Sequence, residues 1–249
     1  MSTSIPQSST LERPKAQAYV DETSFPPMLR AQMQVLQMVR DGGLLKRARW
    51  FYILVGVALA IALAGCVTGF VLLRDSWFQL LIAGALGVVF TQVAFLAHEA
   101  AHRQILSSGR TNDRLARILA GSIGMSYSWW NSKHSRHHAN PNTVGKDPDI
   151  ASDTISFVEE DAAKSRGFVR WITRRQGWLF FPLLTLEGVN LHLQSFKHLA
   201  SRTKVKGRWS EVSIIAARFV ILLVPVFVFL PLGMAFAFLG VQLAVFGVY

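Results

Sequence analysis

Three long stretches of this chain carry no charged residue: residues 50–73, 77–97 and 219–249. A helix rising 1.5 Å per residue needs about 20 apolar residues to cross about 30 Å of hydrocarbon. The first two stretches meet that length as single helices. The third would reach roughly 46 Å if straight, so Pro231 and Gly233 are read as a break between two spans. The expected spans are about 50–73, 77–97, 212–230 and 232–249. The short Arg74-Asp75-Ser76 turn joins the first two. The pattern predicts an all-α membrane protein with four transmembrane helices as two antiparallel hairpins, plus cytoplasmic and interfacial helices.

The remaining segments alternate between tail, surface helix and loop. Residues 1–27, rich in Ser, Thr, Gln and Pro, read as a mobile cytoplasmic tail. Over 28–40, Leu29, Met33 and Leu36 share one face, as in a short helix lying at the interface. The organisation is therefore a tail with its helix over 1–45 and a membrane domain over 46–249. Gly84, Ala85 and Gly87 are expected to let the second span pack closely on the first. Residues 103–117 are basic and polar, and 118–125 form an apolar segment too short to span. Residues 140–150 are dense in turn formers. Residues 159–176 run from acidic to basic, as one surface helix would. Residues 177–195 are apolar but interrupted by Glu187, Asn190 and His192, which suits an interfacial or re-entrant helix. His198, in the basic run that follows, is expected in a solvated loop.

Composition supports the membrane reading: of 249 residues, 51% are hydrophobic and 16% charged, with a mean hydropathy of +0.31. The net charge of +11 raises nucleic acid as a partner, but its placement excludes it. Only Arg74 and Asp75 lie between the first two spans, and the Pro231 break carries no charge. The other basic residues gather in segments on one side, which the positive-inside rule makes the cytoplasm. The N-terminus and the histidines fall on that side too, in a multi-pass integral membrane protein. Cys66 is the only cysteine, so no intrachain disulfide forms, and no secretory signal precedes residue 50.

Five of the seven histidines form two clusters, His98-Glu-Ala-Ala-His102 and His134-Ser-Arg-His137-His138. Helical residues four apart lie on one face, so each cluster can aim imidazoles at a common ion. A lone histidine on an apolar face is usually a hydrogen-bonded core residue. Two clusters at ligand spacing beside membrane spans reverse those odds. Five imidazoles exceed one normal coordination shell, so two metal ions are the simpler reading. His192 is a candidate sixth ligand, with Asn190 facing the same site. Asp147 and Asp149 read either as carboxylates holding the outer nitrogens of ligand histidines or as turn formers. Arg166, Arg170, Arg174 and Arg175 read as a juxtamembrane flank, or as a dock for an acidic redox partner or an acyl carrier's phosphate.

With their surroundings the clusters resemble the histidine boxes of the integral-membrane fatty acid desaturases, in the front-end and bacterial acyl branch. His98-Glu-Ala-Ala-His102-Arg-Gln is similar to the first box. Trp129-Trp130-Asn-Ser-Lys-His134-Ser-Arg-His137-His138-Ala-Asn-Pro-Asn-Thr-Val-Gly-Lys-Asp147-Pro-Asp149-Ile is similar to the second, and the likeness covers about residues 45–249. The resemblance implies two iron ions held by histidine, O2 as co-substrate and two electrons from an external donor. On that reading His98, His102, His134, His137, His138 and the candidate His192 are metal ligands, supported by Glu99, Asp147, Asp149 and Asn190. Glu99 stands where the family more often has Asp. The implied reaction places a double bond in the acyl chain of an acyl-lipid or acyl-CoA. No His-Pro-Gly-Gly motif of a fused cytochrome occurs, which implies a separate ferredoxin or cytochrome-type donor with its reductase. The family's third box, a Gln with two adjacent histidines, does not occur either. The resemblance thus implies a truncated sequence, expected to be inactive as written. The alternatives are a related membrane di-iron hydroxylase or ketolase, and a non-catalytic metal-binding membrane protein.

Overall fold

Apolar runs that cannot leave backbone groups unpaired in hydrocarbon fold as helices. In a computed structural model describing residues 25–249, helices are the only regular structure. Of the tail expected over 1–27, residues 1–24 lie outside the described residues, and Pro27 already opens the first helix. The chain divides into two units, Met1–Lys46 and Arg47–Tyr249. In the first, α1 (Pro27–Asp41) matches the expected short helix, begins on a proline and buries none of its residues.

The second unit begins with α2 (Arg49–Leu73) and α3 (Gln79–Ala101), joined through Arg74, whose φ is positive at 51°. Gln79 secures this turn. Buried, it donates from Nε2 to the carbonyls of Phe70 and Arg74, each at 2.7 Å, satisfying acceptors that the end of α2 leaves unpaired. The last two helices, α10 (Arg208–Phe229) and α11 (Leu232–Val248), part at Pro231 as expected, where Leu230 and Pro231 are both extended. Helices α2, α3 and α10 are long and apolar enough to cross a membrane. Helix α11 is equally apolar but has 17 residues, so length and composition identify three candidate spans where four were expected. Helix α10 also starts early enough to take in Glu211, and with Arg218 it buries two charged residues.

Between these helices the structure departs from the expected pattern in four places. Residues 109–122, expected only as the end of a basic, polar stretch and the start of a short apolar segment, form the amphipathic α4 (Gly109–Ser122). Its inner face carries Asn112, Ala116 and Ala120 at spacings of four, and Asn112 is satisfied by the backbone of Leu106 and Ser108. Helix α5 (Tyr127–Ala139) follows. The single helix expected over 159–176 is broken into α6 (Glu159–Lys164) and α7 (Gly167–Thr173), because Ser165 and Arg166 are extended and Gly167 sits at φ +56°. The apolar 177–195 segment becomes α8 (Gln176–Leu184) and α9 (Glu187–Ala200), and α9 extends far enough to include His198, expected in a loop.

Helix α3 is central, packing against α11, α4 and α2. One buried cluster joins Cys66, Ala83, Leu86, Val226, Met234 and Phe238, with Phe70 edge-on to Phe238 at 5.8 Å. A second, under the histidine helices, joins Ala97, Ala100, Ala116, Ile123, Tyr127 and Phe246. The fourth departure concerns the small residues of α3, which serve a different neighbour from the one expected. A Cβ on Gly87 would stand 2.8 Å from Val245 Cβ and 2.9 Å from the Gln242 carbonyl, so Gly87 seats α11. Gly84 meets nothing within 4 Å, and the close approach of α2 is made by its own Gly69 against Ile82.

These surroundings predict opposite signs for one chemical change. Gly87→Ala should destabilise the chain by roughly 1–3 kcal/mol through overpacking, whereas Gly84→Ala should stabilise it by roughly 0.5–1 kcal/mol through helix propensity. Thermal unfolding in detergent would check both.

Candidate metal centre

The last turn of α3 presents the first histidine pair. His98 lies within α3 and His102 is its C-cap residue, with the His102 N–H still bonded to the His98 carbonyl at 3.0 Å. The chain then closes in a Schellman motif: Gln104 N–H bonds the Glu99 carbonyl and Arg103 N–H that of Ala100. Arg103 occupies the left-handed position at φ 60°, where a side chain costs about 1 kcal/mol and glycine is the usual occupant. The second cluster rides on α5, which Ser126 caps by accepting from Trp129 N–H at 3.2 Å.

From these two helices four imidazoles converge. His98, His102, His134 and His138 each offer a ring nitrogen within 4.8 Å of the others. His134 Nε2 lies 3.0 Å from His102 Nε2 and 3.0 Å from His138 Nε2. A neutral imidazole nitrogen carries one proton or one lone pair, so His134 Nε2 cannot satisfy both neighbours by hydrogen bonding. A cation shared among the lone pairs would satisfy all three. The spacing fits: adjacent nitrogens about 2.1 Å from a six-coordinate ion are about 3.0 Å apart. Burial, then the neighbouring rings, pushes His134 down to about 4, and the same causes lower His102, so both are neutral donors near pH 7. Trp130 stacks on His134 at 4.3 Å and meets His98 edge-on, fixing both rings.

The fifth clustered histidine turns elsewhere. His137 Nδ1 lies 3.0 Å from both Asp147 oxygens and 3.2 Å from Asp149 Oδ2. Asp147 is buried and accepts from Asn142 N–H and Asp149 N–H, while Lys133 pairs with Asp149 at 2.9 Å. Burial opposes ionisation of Asp147, but those N–H groups and the His137 ring outweigh it and hold the carboxyl below its ordinary range. His137, Asp147 and Asp149 thus make a second group with converging ligand atoms. Glu99 stands 3.6 Å from His98 Nδ1 and accepts from Tyr52 Oη on α2 at 3.1 Å.

Neither group takes in His192 or Asn190. His192 is buried, its Nδ1 bonded to the Gly188 carbonyl at 2.6 Å, with Phe219 and Phe246 edge-on to its ring. Gly124, at φ +91°, leaves it room, since a Cβ there would stand 2.5 Å from Nε2. Asn190 donates to Glu187 and accepts from Gln194. Sequence reasoning missed Glu211, whose buried carboxylate collects four donors around the start of α5. Ser126 Oγ approaches at 2.6 Å, Ser128 Oγ at 2.9 Å, Ser128 N–H at 3.1 Å and Arg117 Nε at 3.1 Å. Six residues separate Ser128 from His134, so this knot sets where α5 points. The one signal in the sequence was a lone carboxylate at the edge of an apolar run.

A cavity of about 200 Å³ adjoins the imidazoles. Its lining is apolar (Ala94, Phe95, Ala97, Ala120, Ile123 and Met125, with Tyr127 and Trp130), and His98 reaches into it. Such a space is suited to hydrocarbon, and it lies beside the imidazoles.

A family model described as fatty acid desaturase matches residues 75–249. The chain is 29% identical over 164 residues to a Delta(8)-fatty-acid desaturase of Borago officinalis, covering 60% of this chain and 36% of that protein. It is 29% identical over 140 residues to a Delta 8-(E)-sphingolipid desaturase of Komagataella phaffii, covering 51% and 26%. It is also 27% identical over 172 residues to fatty acid desaturase 3 of Bos taurus, covering 66% and 38%. The chain therefore spans about a third of the length of these curated relatives. No solved structure matches it.

The His134 environment sets a pH dependence. In the metal-free chain the unfolded state takes up a proton near 6.5 that the folded state refuses until about 4. Stability should be full above pH 6.5 and fall as the pH drops through that window. Denaturant titrations across pH 4–8 would show this slope, and His134→Asn should flatten it.

Proposed function

Because the chain belongs to the fatty acid desaturase family, whose model matches residues 75–249, we propose that it forms the membrane-bound, oxygen-dependent core of an acyl-chain desaturase. The reading is carried by the four converging imidazoles of His98, His102, His134 and His138 beside an apolar cavity. The reaction converts –CH2–CH2– to –CH=CH–, with O2, two electrons and two protons consumed and two waters released. Bound iron supplies the oxygen activation that unactivated C–H bonds require and side chains cannot provide.

The chain's residues do the rest. His98, His102, His134 and His138 would offer ring nitrogens to iron, and His137, its Nδ1 against Asp147 and Asp149, would offer Nε2 to a second ion. Glu99, held by Tyr52, orients His98. Ala97, Ile123 and Met125 exclude water from the chain cavity. Helix α11 joins α2, α3 and α10 as a fourth span, giving two antiparallel hairpins with the N-terminus and histidines on the cytoplasmic side. The substrate is an acyl-lipid or acyl-CoA, and electrons come from a separate ferredoxin or cytochrome-type donor.

The test is mass spectrometry of products from a saturated acyl substrate supplied, with a reduced donor, to an iron-loaded desaturase that contains this chain. A product two mass units lighter supports desaturation, and one sixteen units heavier gives the site to a hydroxylase. His134→Ala should abolish turnover with the protein still inserted. Asp147→Asn should weaken metal binding by about 10–100-fold, and full iron content in both variants would overturn the assignment.

A further inference from the structure

Helix α1 takes no part in the metal centre and precedes the residues that the family model matches. None of its 15 residues is buried, yet six large apolar side chains stand on it: Met28, Leu29, Met33, Val35, Leu36 and Met38. Met28 is 84% exposed and Met38 72%. At about 100° per residue, these six and Val39 spread over roughly 220° of the circumference, interrupted by Gln32 and Arg40. Arg30, Gln34, Gln37 and Asp41 occupy the opposite side. A helix that packs on one neighbour needs an apolar stripe of only about 100°. One that lies in a lipid surface sinks about 5–10 Å into it, so lipid covers a much wider arc.

The segment after α1 continues the apolar side and ties it to a membrane-crossing candidate. Gly43, at φ +67°, ends the helix in a Schellman motif, with Leu44 N–H on the Val39 carbonyl at 3.1 Å and Gly43 N–H on that of Arg40 at 3.0 Å. Leu44 and Leu45 follow, 75% and 63% exposed. Residues 42–48 lead to α2, a candidate span whose first turn exposes Trp50, a residue favoured at the lipid boundary. Fully extended, that linker reaches under about 30 Å, so a membrane-crossing α2 keeps α1 at the bilayer surface. Charge completes the pattern. Arg30, Arg40 and Lys46 have no carboxylate within 4.0 Å among the described residues. Asp41, the one acid over residues 25–46, accepts from Gln37 Nε2 at 2.9 Å.

We propose that α1 lies in the plane of the leaflet that α2 enters, with its apolar arc in lipid, and recognises anionic phospholipid through Arg30, Arg40 and Lys46. Cations at such a surface are drawn to the anionic lipids of the cytoplasmic leaflet. The proposal rests on α2 crossing the bilayer with the N-terminus inside, and it is independent of the chemistry at the histidines. A protein neighbour is the weaker occupant, because one packed surface would leave much of so wide an arc in water.

The test uses the full chain in vesicles of phosphatidylcholine mixed with phosphatidylserine. A nitroxide is attached at Val35→Cys or at Gln34→Cys, after Cys66→Ala removes the one native thiol. Oxygen, which dissolves in lipid, should relax the label at position 35 several-fold more than a water-soluble nickel chelate does, and the order should reverse at position 34. The ratio of lipid-inserted to water-exposed label at position 35 should fall about fivefold for each of Arg30→Gln and Arg40→Gln, substitutions that keep helix propensity. It should fall by at least as much in phosphatidylcholine alone. Equal nickel access at positions 34 and 35 overturns the proposal, since the helix is then in water or unfolded. Shielding of position 35 from both reagents overturns it in favour of a protein neighbour, and dipolar broadening between labels makes that neighbour a second copy. A ratio indifferent to phosphatidylserine and to both substitutions overturns the recognition of anionic lipid. The desaturase reading stands or falls separately, on the mass of the product.

Discussion

Three ring nitrogens meeting where hydrogen bonds can satisfy only some of them is the constraint on which the account turns. His134 Nε2 has one proton or one lone pair and two partners at 3.0 Å. A cation joining the rings would satisfy all three, and His134, half-buried and held neutral near pH 7, keeps its lone pair available. The proposed metal chemistry would therefore depend on how α3 ends and how α5 is aimed.

The scaffold exists to make that meeting possible. Gly87 lets α11 seat against α3, and Phe246 near the end of α11 reaches the cluster beneath the histidine helices. The Glu211 carboxylate gathers Arg117 of α4 and Ser126 and Ser128 at the head of α5, so three helices are pinned by one buried charge. Such a knot stabilises only because every lone pair finds a donor; removing one partner would strand the rest. Polar contacts at the start of α5 are thus transmitted along one rigid helix to the imidazoles.

Much of this was readable in the chain, for reasons that particular residues make plain. Uncharged runs predicted α2, α3 and α10 and Pro231 predicted the break, while spacings of three and four grouped all five clustered histidines, of which the structure brings together His98, His102, His134 and His138. His137 is left out of that group, and its turn toward Asp147 depended on where the 140–150 loop would fold back, which local spacing does not encode. Helix α4 was missed because its buried stripe is made of Ala and Asn, whose weak apolar signal the surrounding arginines drowned. Glu211 and Gly87 act through distant partners, α5 and α11, that only the tertiary arrangement supplies. The family likeness, carried by the second box and its trailing loop, was readable where the pairing of the rings was not.

The most direct measurement is zinc K-edge X-ray absorption on the full chain loaded with one equivalent of zinc, a redox-silent probe of the imidazole cluster. The account predicts a shell of nitrogens at about 2.0–2.1 Å with the multiple scattering of several imidazoles. It also predicts that this signature disappears both in His98→Ala/His102→Ala and in His134→Ala/His138→Ala. A zinc site that survives either double replacement with unchanged spectrum and affinity would contradict the convergence of the two helices on one ion.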